Sequence, residues 1–168
     1  VIPALDKAVD QAQRAGQVIR RIYSLARHSE HRVEQVDLAE RIDAVLGLVD
    51  ANLRQKAVRI SLAVADRALI EGDPVLIEQV ILNLLRNAVE SMRESAADSR
   101  TIAISLSCVD GYAQLKIADR GCGIDPSIAE KLFDPLFTTK PDGMGMGLAI
   151  CRSVIENHRG RLVFEENP

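Results

Sequence analysis

Asp119-Arg-Gly-Cys-Gly-Ile124, followed by Gly143-Met-Gly-Met-Gly-Leu148, is the part of this chain whose reading decides the fold. An acidic residue leaves an alternating apolar run and enters a glycine-rich turn. A second glycine cluster then opens an apolar helix. Glycine permits positive φ and close backbone approach, which a side chain would block. Unpaired amides at a helix start, aided by the helix dipole, favour phosphate. The two clusters therefore describe a loop system suited to a phosphorylated ligand, with Asp119 placed to read a polar group on it. A flexible surface loop between strand and helix is the plainer reading of either cluster taken alone.

The commoner nucleotide patterns do not occur. No G-x-x-x-x-G-K-[ST] run exists, so there is no P-loop. Pro126, Leu148 and Ile150 stand where the last glycine of G-x-G-x-x-G would fall. That argues against a dinucleotide fingerprint and against a protein-kinase glycine loop.

A third stretch bears on the same ligand. Residues 74–92 read as one helix whose apolar stripe is Ile77, Val80, Ile81, Leu84, Leu85, Ala88, Val89 and Met92. Asp73 before Pro74 is a good N-cap, with proline at the first helical position. Beside the apolar stripe runs a polar one: Gln79, Asn83, Asn87 and Glu90. Asn83 and Asn87 are i, i+4 neighbours, and asparagine is a poor helix former. Two readings stand side by side. The amides are satisfied core or wet-face groups, or they face a hard cation, since Mg²⁺ takes amide oxygens and lets phosphates and water complete its shell.

Taken in order, these blocks resemble the catalytic ATP-binding domain of bacterial sensor histidine kinases. Gln79-Val-Ile-Leu-Asn-Leu-Leu-Arg-Asn-Ala-Val-Glu90 is similar to the N box, and Asp119-Arg-Gly-Cys-Gly to the first glycine box. Phe133-Asp-Pro-Leu-Phe-Thr-Thr-Lys140 is similar to the F box, and Gly143-Met-Gly-Met-Gly-Leu148 to the second glycine box. His158-Arg-Gly-Arg-Leu162 resembles the turn into the last strand. The likeness spans residues 36–168, and its details resemble the nitrogen-regulation and oxygen-sensing branch.

The resemblance implies an α+β fold, a two-layer α/β sandwich of the histidine kinase, gyrase and Hsp90 type, and transfer of the ATP γ-phosphoryl group to a histidine. Catalysis of that kind is positioning and charge neutralisation. On this resemblance Asp119 accepts from the adenine amino group while Gly121 and Gly123 let the backbone approach the base. Asn87 ligates Mg²⁺, with Asn83 and Glu90 one turn away. Lys140 and Arg86 are the cations for phosphate oxygens. Gly143, Gly145 and Gly147 hinge a lid and present amides. Phe133 and Phe137 pack the lid base. Ile124, Thr138, Thr139, Met144, Met146 and Leu148 complete the implied nucleotide contacts, and Asn83, Asn87 and Lys140 are the implied catalytic set. Many relatives carry a basic residue at the Glu90 position; with a carboxylate there, the resemblance implies a water-mediated contact to the metal in place of a direct one to phosphate. Arg120 replaces a residue that is often small and polar.

Composition agrees. With 168 residues and 47% apolar content the chain can build one full domain with an appendage. Aromatics are 3%, tryptophan is absent and the net charge is −3, which argues against nucleic acid as a partner. Apolar runs are too short to cross a bilayer and no basic-then-apolar leader is seen, so cytoplasmic placement without membrane contact is the expectation. Cys108, Cys122 and Cys151 show no metal spacing, and reduced thiols are expected.

Three segments are expected: a helix at 1–29, a linker at 30–35 and the ATP-binding domain at 36–168. Over 3–29, Leu5, Ala12, Ile19 and Ala26 repeat every seven residues beside Ala8, Ala15 and Ile22, which describes a coiled-coil or bundle seam; the plainer alternative is a solvated surface helix docked on its own domain. Further on, a short strand at 36–38 precedes a helix at 38–55 capped by Asp37. Strands are expected at 58–64, at 102–106 and 113–117 about an Asp110-Gly111 turn, and at 161–165 after a helix at 148–157. The helices should gather on one face of a mixed sheet. The loop at 128–145 lacks the apolar density to be rigid without ligand.

The departure from the family lies in its histidines. The 3–29 helix matches the second helix of the family's dimerisation hairpin, and the first helix with its phosphoacceptor and the upstream sensor region are expected to be missing. His28, His31 and His158 have no phosphoacceptor context, so the chain alone is expected to bind ATP without phosphorylating itself. His158 reads as a helix C-terminal side chain favoured by the dipole. The implied partners are that hairpin, a response-regulator receiver domain and a second copy in the full-length homodimer. The alternative is a nucleotide-binding regulatory or ATPase module of the gyrase/Hsp90-type superfamily without histidine kinase activity. Such ATPases use a glutamate one turn before the metal-binding Asn, where this chain has Asn83, which carries no carboxylate to activate water.

Overall fold

The computed structural model describes residues 33–65, 67–140 and 143–166. They all belong to the second of the chain's two units, Val33–Pro168. The seam expected at 3–29, His28 and His31 lie outside the described residues, as do Pro141 and Asp142 of the loop at 128–145.

Among the described residues the order is strand β1 (Glu34–Asp37), helix α1 (Leu38–Gln55), β2 (Arg59–Val64), β3 (Leu69–Gly72), α2 (Pro74–Ser91), β4 (Thr101–Val109), β5 (Tyr112–Asp119) and α3 (Gly147–Asn157). Short 3-10 turns cover Ala97–Ser99 and Pro126–Lys131. Both expected caps form. Asp37 accepts from the Ala39 amide at 3.0 Å. Asp73 Oδ1 accepts from the Val75 and Leu76 amides at 2.9 and 3.2 Å, which starts α2 where Pro74 needs no amide partner. Helix α1 ends in a Schellman motif: the Ala57 amide donates to the Arg54 carbonyl at 3.0 Å and the Val58 amide to the Leu53 carbonyl at 2.9 Å. The left-handed position of that motif is held by Ala57, at φ 54°, and not by glycine. The β4–β5 turn has Asp110 and Gly111 at φ 50° and 82°, the two positive values that a two-residue hairpin requires.

Strand β2 pairs parallel to β4, with Ile60 opposite Ile102 and Leu62 opposite Ile104, and β4 pairs antiparallel to β5. One face of this mixed sheet carries Ile102, Ile104 and Leu106, each 1% exposed or less, against Ile42 and Val45 of α1 and Ile81, Leu85 and Ala88 of α2. Burying a side chain of this size contributes about 1.5–3 kcal/mol, so these contacts set how the helices lie on the sheet. Ala103, Gln114 and Lys116 occupy the exposed face. The fold is thus an α+β two-layer sandwich with its helices on one side.

Three details differ from the sequence reading. The sheet is not continuous: among the described residues β1 pairs only with β3, as a separate antiparallel ribbon. Strand β3, four residues ending in a glycine, is too short to show a period. Residues 161–166 form no ladder, although the Glu165 carboxylate lies 3.9 Å from Lys116 of β5. The apolar pair of this segment, Val163 and Phe164, stays exposed, so no buried face fixes a register.

His158 stands at the C-terminal end of α3, as expected, and makes a second contact that the sequence did not show. Its Nε2 accepts from the Asp73 amide at 3.0 Å, so the proton sits on Nδ1, which donates to the Val154 carbonyl at 2.7 Å. The ring is a neutral clamp between the end of α3 and the start of α2. Gly72 makes room for it, because a Cβ there would lie 2.5 Å from His158 Cδ2.

Candidate functional site

Helix α2 organises the site. Its buried face (Leu76, Ile77, Val80, Ile81, Leu85, Ala88 and Val89) fixes the rotation of the helix. Asn83, Asn87 and Ser91 then follow one another at four-residue intervals along one stripe, a rise of about 12 Å. Each meets a different loop.

At the middle level, Lys140 Nζ donates to Asn87 Oδ1 at 3.3 Å and to Glu90 Oε2 at 2.7 Å. Arg86 Nε holds the other Glu90 oxygen at 2.9 Å. Burial pushes the Glu90 carboxyl up, but the hydrogen bonds and charges of Lys140 and Arg86 outweigh it and hold the group below the usual glutamate value. An amide oxygen and a carboxylate oxygen thus converge on one cationic atom. That donor set fits a hard cation bound through one or two protein oxygens with phosphates and water completing the shell. No group of three or more His, Cys, Asp or Glu placed to hold a metal exists among the described residues, so an all-protein cage is not offered there.

At the Asn83 level, the Nδ2 amide donates to Cys151 Sγ at 3.2 Å. Gly147 stands against the same amide: a Cβ there would lie 2.8 Å from Asn83 Oδ1. Among the described residues helix α3 starts at Gly147 without a side-chain cap, unlike α1 and α2, so its first amides suit an anion. Gly145, at φ 64°, lies so close to the Leu136–Phe137 backbone that a Cβ would overlap the Leu136 carbonyl carbon. The second glycine cluster therefore packs directly on the Phe133–Lys140 turn, whose Leu136 is itself at φ 69°. Arg152 of α3 lies over the Phe133 ring, 5.3 Å from its centroid, and is anchored to Glu156 at 2.9 Å.

At the Ser91 level, Asp119 Oδ1 accepts from the Gly121 amide at 2.9 Å and lies 2.7 Å from Ser91 Oγ. The Cys122 amide donates to the Ser91 carbonyl at 3.4 Å. The first glycine turn is thereby seated on the C-terminal end of α2.

The structure brings Asn83, Arg86, Asn87, Glu90, Asp119, Gly121, Lys140, Gly143, Gly145 and Gly147 onto these three levels. Thr138 accepts from the Lys140 amide at 3.1 Å, which shapes the turn that presents Lys140. Ile124, Phe133, Met144 and Met146 are half-buried in the same loops, Leu148 is half-buried in the first turn of α3, and Thr139 is exposed. Gly123 is exposed at φ 70°. Arg86 and Lys140, expected as phosphate cations, share Glu90 between them. Sequence reasoning missed Ser91 and Cys151. Ser91 was reachable as the next step of four after Asn87; Cys151 was not, because a buried cysteine looks like plain core.

The family model described as "Histidine kinase-, DNA gyrase B-, and HSP90-like ATPase" matches residues 72–168. The C4-dicarboxylate transport sensor protein DctS of Rhodobacter capsulatus is 37% identical over 160 residues, which cover 95% of this chain and 24% of that protein. Sensor protein FixL of Bradyrhizobium diazoefficiens is 40% identical over 166 residues, 98% of this chain and 32% of that protein. The chain thus spans a quarter to a third of these relatives. The solved catalytic domain of histidine kinase ThkA matches with a TM-score of 0.68 at 30% identity, over 76% of this chain and 82% of that one. No helix among the described residues is long and apolar enough to cross a membrane.

Proposed function

This chain belongs to the histidine kinase-, DNA gyrase B- and HSP90-like ATPase family, and from that premise we propose that it is the ATP-binding catalytic domain of a two-component sensor histidine kinase. It transfers the γ-phosphoryl group of ATP to a histidine on a dimerisation hairpin, for relay to a response-regulator receiver domain. The observation that carries this reading is the single polar stripe of α2, which meets the second glycine cluster at Asn83, the Lys140 turn at Asn87 and the Asp119 loop at Ser91.

In this reading the nucleotide lies along the stripe. The Asp119 carboxylate accepts from the adenine amino group, and Gly121 keeps the backbone clear of the base. Asn87 Oδ1, with the Glu90 carboxylate beside it, holds Mg²⁺, which when bound neutralises and orients the phosphates. Lys140 and the uncapped amides of α3 hold phosphate oxygens. Asn83 supports the kinase over a hydrolase: its amide is hydrogen-bonded to Cys151 and offers no base for water. In this reading the protein is cytoplasmic, its full-length form is a homodimer, and residues 36–168 are the catalytic domain.

The isolated chain should bind ATP and incorporate no acid-labile phosphate. Transfer needs the nucleophile in line and in near contact with the γ-phosphate, and both ring nitrogens of His158 are engaged with backbone groups. Incubation with γ-labelled ATP and Mg²⁺, with and without a separately supplied phosphoacceptor hairpin, tests the proposal. Label should appear on the hairpin histidine alone. Free phosphate released at a steady rate with no labelled histidine would favour an ATPase module instead.

A further inference from the structure

We infer that Ser91 is a positioning residue for base recognition: it holds the Asp119 carboxylate in the orientation that distinguishes a 6-amino purine from other bases. The inference rests on the nucleotide-binding reading above and adds a residue to it.

Four contacts converge on this side chain and its backbone. Ser91 Oγ lies 2.7 Å from Asp119 Oδ1 and 2.8 Å from the Ala88 carbonyl. Both oxygens only accept, so the one hydroxyl proton serves them in a three-centre arrangement, with the charged and nearer carboxylate the stronger acceptor. The Gly121 amide donates to the same Oδ1 at 2.9 Å. The Ser91 carbonyl takes the Cys122 amide at 3.4 Å. Gly121 is so close that a Cβ on it would overlap Ser91 Oγ and lie 2.5 Å from Ser91 Cβ.

These contacts have a direction. Asp119 ends strand β5, and nothing in a strand terminus by itself sets the rotation of its carboxylate. Ser91 is the last residue of α2, anchored by the fully buried Met92 that follows it. Its hydroxyl, tied back to the Ala88 carbonyl, is therefore a fixed donor on a rigid element. A fixed donor from α2 and a fixed amide from the turn clamp one carboxylate oxygen and so define where the other points. Discrimination among bases depends on that angle, because a polar site rejects the wrong ligand only when its acceptor is already placed.

Recognition acts through Asp119, so loss of the hydroxyl should reduce discrimination more than it reduces binding. The test measures calorimetric affinity of the full chain for ATP and for purine riboside triphosphate, which lacks the 6-amino group, in the wild type, Ser91→Ala, Asp119→Asn and the double variant. The wild type should prefer ATP. Ser91→Ala should cut that preference about 3- to 10-fold, the loss of one charge-assisted hydrogen bond in part, while affinity for the analogue stays within about twofold. In the Asp119→Asn background Ser91→Ala should change the ratio less than about twofold. An unchanged ratio in Ser91→Ala, or an equal loss for both nucleotides, overturns the inference while leaving adenine reading by Asp119 intact. A wild type with no preference overturns the adenine reading itself and this inference with it.

Discussion

Replacing Lys140 by methionine separates what its ammonium does for the fold from what it does for the nucleotide. At 2.7 Å from Glu90 Oε2, two unit charges attract by about 6 kcal/mol at an effective dielectric of ~20. Desolvation and side-chain entropy cancel most of that. The side chains are 43% and 22% exposed, and Arg86 still holds the other Glu90 oxygen in the variant. A net loss of at most about 1 kcal/mol follows, a fall in Tm of about 2–4 °C or less. The pH dependence has a definite sign. Burial raises the Glu90 carboxyl and the two cations depress it below its ordinary value of 4.5. A depressed carboxylate contributes stability that is fully present above the unfolded value and is lost as the pH falls through the folded one. The stability gap between wild type and Lys140→Met should be open at pH 7 and narrow steadily as the pH falls below the ordinary glutamate value. ATP affinity with Mg²⁺ should fall about tenfold or more, since a charged hydrogen bond to phosphate is worth about 1.5–3 kcal/mol. Thermal melts across pH, paired with calorimetry at neutral pH, give both readouts. A gap of equal size at pH 3 and pH 7, or unchanged ATP affinity, would refute the reasoning.

Other substitutions probe other parts of the account. Ala57→Gly should raise stability by up to about 1 kcal/mol in urea unfolding, because relief of left-handed strain at φ 54° exceeds the added entropy of the unfolded chain; a loss would mean that the Ala57 methyl packs usefully. His158→Ala should cost about 1–3 kcal/mol by leaving the Asp73 amide without its acceptor, and a loss under 0.5 kcal/mol, in the range of ordinary surface changes, would show the clamp to be incidental. Gly145→Ala combines positive φ with overlap on the Leu136–Phe137 backbone, a cost of about 2–5 kcal/mol that the loop relieves by moving. ATP binding should then fall far more than Tm does, and an unaffected affinity would detach that turn from the site.

How much of this was legible in the sequence depends on whether a residue's neighbours are local. The caps at Asp37 and Asp73, the Asp110-Gly111 turn and the buried stripe of α2 were readable because their partners lie within a few residues. Strand β3 was not, since its partner β1 is more than thirty residues away in the chain and its own four residues carry no period. The polar stripe of α2 was visible at Asn83 and Asn87, but serine ends many helices for bland reasons, and only the contact across 28 residues to Asp119 separates Ser91 from those. His158 shows the same limit. Its place at a helix end was readable, whereas its contact with a backbone amide 85 residues away was not.

The most direct test of the central claim is calorimetric titration of the chain with ATP and with GTP at the same Mg²⁺ concentration. The account predicts one ATP per chain, tighter with Mg²⁺ than with chelator. GTP should bind at least about tenfold more weakly, because a carboxylate at Asp119 meets an acceptor where ATP presents a donor. Equal affinity for the two nucleotides, or ATP binding indifferent to Mg²⁺, would contradict it.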